Sequence, residues 1–447
     1  MNKLQTGFAR INVNPMMGIE LEGYCHTRLA DKVLDDLEIN AIAFVCEDKK
    51  AIVLCLDHNG VEKETMRVWR EHISEETGIP TEAIFITVSH CHNAPLRESA
   101  SNSPLIKEYY QFLYEKMAEA AKIALADIKP TKMGYGVGQA PNVAFVRRFK
   151  MKNGTVRTNP GVNNPEIATP IGTPDERVGV LRFDRENGET LVLVNFANHP
   201  DTVGTSAITA DWCGALRRTV EKTLDNTKCM FINGAEGDVN HVNVWPTKGF
   251  LNGLKNDFDD VARGYEHAAY IGRVITGGVL QVFDKVEYVD VEQINYLQKT
   301  IKVPANLPKK EEIPNARRIW QLHQEGKDDE IGESGMMLTT VIYEAERMLR
   351  LESAPECFDM ELIGISLGDV ALVGIPGEPF TEIGRQIKDT DGWEMILPTA
   401  LTNGFDGYFP TADAYAEGGY EARSSNFKAG VGELIIEECK KLLTELR

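Results

Sequence analysis

In LVLVNFANHP (191–200) a mostly apolar, β-branched run of strand length passes without a spacer into Asn198, His199 and Pro200, and the rest of the chain repeats that layout. AIFITVSHCHNAP (83–95), CMFINGAEGDVNH (229–241) and VALVGIPGEPF (370–380) each end an apolar run at glycines or reactive polar side chains. INAIAFV (39–45), AIVLCL (51–56), VGVLRF (178–183) and LIGISL (362–367) add further strand candidates. Helical patterns lie between them in EKETMRVWREHISEETG (62–78), SPLIKEYYQFLYEKMAEAAKIALADI (103–128) and CGALRRTVEKTLDN (213–226). Strands alternating with amphipathic helices argue an α/β fold, and open α/β sheets place their sites just beyond strand ends. The expectation is a mixed-sheet α/β catalytic domain with helices packed around it and its site at the strand exits.

A chain of 447 residues has room for two or three domains or one large one. A single domain over 1–447 is expected. The strand pattern resumes at Glu361 after the charged segment KKEEIPNARRIWQLHQEGKDDEIGE (309–333) and the helical stretch 338–351, and the helix over 426–447 reads as docked. Residues 305–352 then form a helical insertion covering the sheet or the site. A net charge of −19 repels nucleic acid and anionic lipid, so neither is an expected partner. No apolar run approaches the roughly 18–20 residues of a membrane span, and residues 1–13 lack the apolar core and cleavage site of a secretory signal. A cytoplasmic protein is expected. Its eight cysteines form no C-x-x-C pair and several lie in apolar runs, as buried thiols in a reducing compartment do. Only Cys91, between two histidines, has company suited to a nucleophile.

Five segments hold residues that could do chemistry. His90 and His92 follow the strand AIFITV; if the strand continued through them, alternation would point both the same way, roughly 6–7 Å apart. His199 repeats the arrangement after LVLVNFA. Gly234 and Gly237 follow KCMFI, where close-set glycines allow tight backbone approach and exposed amides that suit an oxyanion. Glu378 stands between Gly377 and Pro379 after VALVG, either as an acid near a helix start or as a hard oxygen ligand. Tyr408 and Tyr420 sit in glycine-rich loops. Two histidines, a glutamate and a tyrosine can complete a four-ligand site, with Zn²⁺ favoured over Mn²⁺ and Fe²⁺ because two imidazoles take part. No G-x-S-x-G or GK[ST] is present, so serine hydrolase and P-loop chemistries lack their residues. His26, His58, His72, His267 and His323 read as structural.

These segments carry a family resemblance. SHCHNAP (89–95) resembles the THTHSGP of the neutral, non-lysosomal ceramidases, FANHPDTVG (196–204) their ATHPTSM, and NGAEGDVNH (233–241) their NQGDVSPN. PGEPF (376–380) and the paired tyrosines of GYFPTADAYAEGGYEA (407–422) resemble two further motifs of that catalytic domain, and the likeness extends back to TGFARINVNP (6–15) and GYCHTR (23–28). The resemblance implies one zinc ion held by His90, His199, Glu378 and Tyr408. It implies that His92 handles a proton beside the reacting amide, that Tyr420 polarises the scissile carbonyl, and that the family's site arginine is Arg147 or Arg148. Gly237 and Asn240 would help seat the substrate, with Asn240 replacing a serine. The family's secretory signal and C-terminal β-sandwich domain are not found in this sequence, which turns the expectation away from ceramide.

The expected activity is zinc-dependent hydrolysis of the linear amide of a small-molecule N-acyl compound by metal-activated water. The same chemistry would serve an ester, lactone or phosphoester, and a non-catalytic binding protein of the same fold is the remaining alternative.

Overall fold

The computed structural model describes residues 3–257, 259 and 261–447. Among these, the larger sheet contains β1 (Leu4–Asn12), β2 (Glu38–Cys46), β3 (Lys49–Leu56), β4 (Ile84–Val88), β5 (Lys129–Gln139), β6 (Arg177–Arg185), β7 (Thr190–Phe196) and β8 (Thr227–Asn233), in the spatial order β8-β7-β6-β5-β1-β2-β3-β4. A ninth strand, β9 (Glu287–Val289), also pairs with β5. The pairs β3/β4 and β7/β8 are parallel and the others antiparallel, so the sheet is mixed. A second sheet runs β10 (Ile294–Pro304), β11 (Cys357–Leu367), β12 (Val370–Gly374) and β13 (Met395–Thr399), with only β12/β13 parallel.

Each parallel pair needs a crossover helix. α1 (Lys63–Thr77) joins β3 to β4 and packs beside α2 (Pro104–Ala126), α3 (Asp211–Thr223) joins β7 to β8 and packs on α4 (Tyr265–Val282), and α7 (Thr381–Lys388) joins β12 to β13. Between α4 and α7 in the chain lie α5 (Ile313–Gln324) and α6 (Gly335–Leu351), which pack on each other through Ala316, Ile319, Val341, Ile342 and Ala345. The short helices α8 (Ala412–Glu417) and α9 (Tyr420–Ser424) precede α10 (Val431–Leu446), which covers the second sheet together with α7. The charged segment 309–333 thus contains a helix of its own, α5, because its apolar residues Ile313, Ala316 and Ile319 share one face.

β4 and β12 are buried at every position and β8 at nearly every one, which is why they read as continuous apolar runs. The carboxyl ends of the three helix-joined parallel pairs in these two sheets meet. Although β4 and β8 stand at opposite ends of the larger sheet's order, Asn233 Nδ2 at the end of β8 donates to Ser89 O just past β4 at 3.2 Å. The segment after β13 stitches the two edges: Ala400 N donates to Asn233 O at 3.1 Å, and Asn403 N donates to Ile86 O at 2.8 Å. Asn403 Oδ1 in turn accepts from Ile86 N at 3.0 Å. Leu401 and Asn403 adopt φ of 50° and 56° to make these contacts, a conformation that is uncommon for leucine.

β5 shows how α4 lies on the larger sheet. Gly134, Gly136 and Gly138 alternate along the strand, so they share a face and leave it without side chains. A Cβ at Gly138 would fall 1.9 Å from Gly278 O of α4, whereas one at Gly277 would meet nothing within 4 Å. Gly138→Ala is therefore expected to destabilise by about 1–3 kcal/mol, while Gly277→Ala should be neutral or stabilise by up to about 1 kcal/mol. Denaturant midpoints of the two variants measured side by side check this.

Candidate metal centre

His90 and His199 have their ring orientations fixed by the backbone. His90 Nδ1 lies 2.6 Å from Asn59 O in the loop after β3. His199 Nδ1 lies 2.9 Å from Glu236 O and 3.0 Å from Val239 O in the loop after β8. A carbonyl oxygen only accepts, so in both rings Nδ1 carries the hydrogen and Nε2 presents a lone pair. The expected strand alternation does not aim His90 and His92: β4 stops at Val88, and His90 takes φ of 70°. That left-handed residue turns the chain so that the His90 and His92 rings meet edge to face at 5.0 Å.

The Nε2 lone pairs converge on one carboxylate. Glu378 Oε2 is 3.1 Å from His199 Nε2 and 3.4 Å from His90 Nε2, and the Tyr408 hydroxyl is 3.5 Å from His199 Nε2. Ligands about 2.0–2.1 Å from a tetrahedral zinc ion stand about 3.3–3.4 Å apart, so these spacings fit a shared ion. His90 Nε2, both ring nitrogens of His92 and both oxygens of Glu236 are covered and make no hydrogen bond among the described residues. Buried polar atoms without partners are rare, and a cation would engage the His90 nitrogen and the carboxylate oxygens among them. Burial, with the Glu378 charge adding to it, pushes the Glu236 carboxyl well above the usual carboxylate range. His92 is lowered by burial and then by His90.

The two tyrosines form the wall opposite. The Tyr408 ring stacks on His199 and meets Tyr420 edge to face at 5.5 Å. Burial raises both phenols, which keeps them protonated and able to donate. The Arg147 guanidinium lies 5.3 Å from the Tyr408 ring and 6.0 Å from the Tyr420 ring, held by Glu421 at 2.7 Å and by Gly237 O at 2.7 Å. Arg148 turns away to Glu417, the carbonyl of Gly418 and the Phe380 ring.

The architecture around this cluster has solved counterparts. The neutral ceramidase of Pseudomonas aeruginosa superposes on the whole chain with a TM-score of 0.74, at 13% identity and over 75% of its own length. A ceramidase complexed with C2 does so with a TM-score of 0.73, at 14% identity and over 76% of its length. The chain has the neutral ceramidase fold. No protein-family model matches the chain, and no curated protein matches it in sequence.

Within this ceramidase fold the glycine amides and the Asn240 side chain already have partners. The amides of Gly234 and Gly237 are not free for an oxyanion: Gly234 N donates to Phe196 O and Gly237 N to Pro379 O, both at 2.9 Å. Gly237 is required for close approach instead, since a Cβ there would lie 2.5 Å from Glu378 O. Asn240 Nδ2 donates to Asn159 Oδ1 at 3.3 Å and its Oδ1 accepts from Val242 N at 3.0 Å. Cys91 is buried, and burial pushes its thiol well above the ordinary range, which disarms it as a nucleophile. Sequence reasoning missed Glu236, whose oxygens lie with ligand atoms of His90 and Glu378 within 4.8 Å of one another. The one signal available was an acid placed between the strand-ending Asn233-Gly234-Ala235 and Gly237.

A cavity of about 150 Å³ reaches the cluster at Tyr420. Its wall includes Arg157, Asn159 and Asp259 on one side and Met336, Met337 and Thr340 of α6 on the other. Tyr343 of α6 meets the Tyr420 ring at 5.9 Å. Arg147→Met, by leaving Glu421 buried without its closest cation, is expected to destabilise by about 3–5 kcal/mol. Combining it with Glu421→Gln should recover part of that loss, as denaturant unfolding of the single and double variants would reveal.

Proposed function

We propose that the chain is a zinc-dependent hydrolase that cleaves the linear amide of an N-acyl compound smaller or more polar than ceramide. The observation that carries this reading is the facing of the His90 and His199 Nε2 atoms and Glu378 Oε2 at 3.1–3.4 Å, a spacing that calls for a cation between them. His90, His199, Glu378 and Tyr408 would hold one ion. When bound, such an ion acts as a Lewis acid and lowers the pKa of a water to about 7.

The protein's own groups do the rest. The carbonyls of Asn59, Glu236 and Val239 hold the two imidazoles in their ligating tautomer. Tyr420 donates its phenolic hydrogen to the carbonyl oxygen of the amide, and Arg147 steadies both tyrosine rings from behind. His92, whose two ring nitrogens have no hydrogen-bond partner among the described residues, takes a proton from the attacking water and passes it to the leaving nitrogen. A short substrate is supported by the cavity beside Tyr420, whose volume of about 150 Å³ is small for two long hydrocarbon chains. The amide bond is suggested by the ceramidases that share the fold.

The remaining readings belong to the same proposal. Residues 1–447 act as one catalytic domain in which 305–352 is an insertion walling the substrate cavity, supported by Met336, Met337 and Thr340 in its lining. Among the described residues no helix is long and apolar enough to cross a membrane. All eight cysteines are free thiols, which supports a cytoplasmic setting.

Elemental analysis of purified protein is expected to find about one zinc per chain, lost in His199→Ala; full zinc in that variant would overturn the ligand set. Tyr420→Phe should keep the zinc and lower kcat by about 10²-fold or more. A panel of N-acyl amides, esters, lactones and phosphoesters then tests the bond: turnover confined to one of the last three would replace the amide reading.

A further inference from the structure

The motifs supply one carboxylate to the centre, but the structure brings a second. Glu236 is fully buried, and neither of its carboxylate oxygens has a hydrogen-bond partner among the described residues. One of its oxygens, a ring nitrogen of His90 and an oxygen of Glu378 all lie within 4.8 Å of one another, a span that a single ion can bridge. Its backbone is pinned on both flanks: its own carbonyl accepts from His199 Nδ1, and Gly237 N is bound to Pro379 O. The nearby guanidinium of Arg147 is engaged by Glu421 and Gly237 O rather than by Glu236.

We propose that Glu236 is a ligand of the same ion, completing a centre of two carboxylates, two imidazoles and the Tyr408 phenol. This rests on the metal reading above and deepens it. Two buried carboxylates side by side repel unless a proton or a cation lies between them. A divalent ion neutralises both at once, whereas Glu378 alone would leave the centre one charge positive. A second carboxylate raises the coordination number above four and moves the preference toward harder ions such as Mn²⁺ and Fe²⁺.

The test uses full-length protein stripped with a chelator and titrated with Zn²⁺ and with Co²⁺, comparing wild type, Glu236→Gln and Glu236→Ala. Wild type is expected to bind one ion. Both variants should bind it more than about 100-fold more weakly, beyond the 10–100-fold cost of losing an outer partner. The visible absorption of the Co²⁺ form should strengthen as coordination drops from five toward four. Without metal, Glu236→Gln should melt no lower than wild type, because a buried acid without a partner has been removed, while its gain in Tm on adding metal should shrink. Unchanged affinity and an unchanged Co²⁺ spectrum in the variants would overturn this assignment and leave the four-ligand reading standing. Wild-type protein that binds no ion would overturn both.

Discussion

The centre depends on three backbone carbonyls. Asn59 O fixes His90, and Glu236 O with Val239 O fixes His199, so each ring has a single nitrogen left to offer. Were either ring free to flip, a C–H would take the place of the lone pair facing Glu378, and in the other tautomer an N–H would, so the converging donor set would dissolve. The carbonyls belong to loops after β3 and β8, and their positions are set in turn by what holds those loops. Arg217 of α3 grips Asp57, the first residue past β3, at 3.0 and 2.5 Å, and Gly237 packs against the backbone of Glu378. A buried guanidinium and a missing Cβ, neither touching the centre, decide which way two imidazoles point.

The mixed sheet makes this economical. Antiparallel strands alternate the ends at which their loops fall, whereas a parallel pair joined by a helix returns both carboxyl ends to the same rim. This chain uses three such pairs, in two sheets, and each contributes to the cluster: Asn59 and His90 from the first, His199 and Glu236 from the second, Glu378 and Tyr408 from the third. The antiparallel strands between them set the spacing of the rims.

Strands buried on both faces were legible because burial demands an uninterrupted apolar run; β3, β4, β7, β8 and β12 all coincide with such runs. KPTKMGYGVGQ (129–139) and INYLQKTIKVP (294–304) were not, since β5 is thinned by glycines and β10 is half exposed with lysines along it. YEHAAYIGRVITGGVLQV (265–282) escaped for the matching reason: α4 carries glycines where it presses on β5. At the centre, His90, His199 and Glu378 stood out by following strands directly. The fate of the Gly234 and Gly237 amides was not legible, because it turns on Phe196 and Pro379, which sequence spacing does not relate to them. Glu236 was hidden for a similar reason: an acid in a glycine turn looks solvated until the third parallel pair closes over it.

The stitch made by Ala400 and Asn403 between β8 and β4 also dictates an order of assembly. The candidate ligands lie at positions 90, 199, 378 and 408, so the donor set spans most of the chain, and a segment near its end helps to tie together the two sheet edges that carry the first two. Closure of the centre is among the most non-local events in the fold, the kind that comes late and slowly. A donor set drawn from positions so far apart exists only once the whole chain has folded around it.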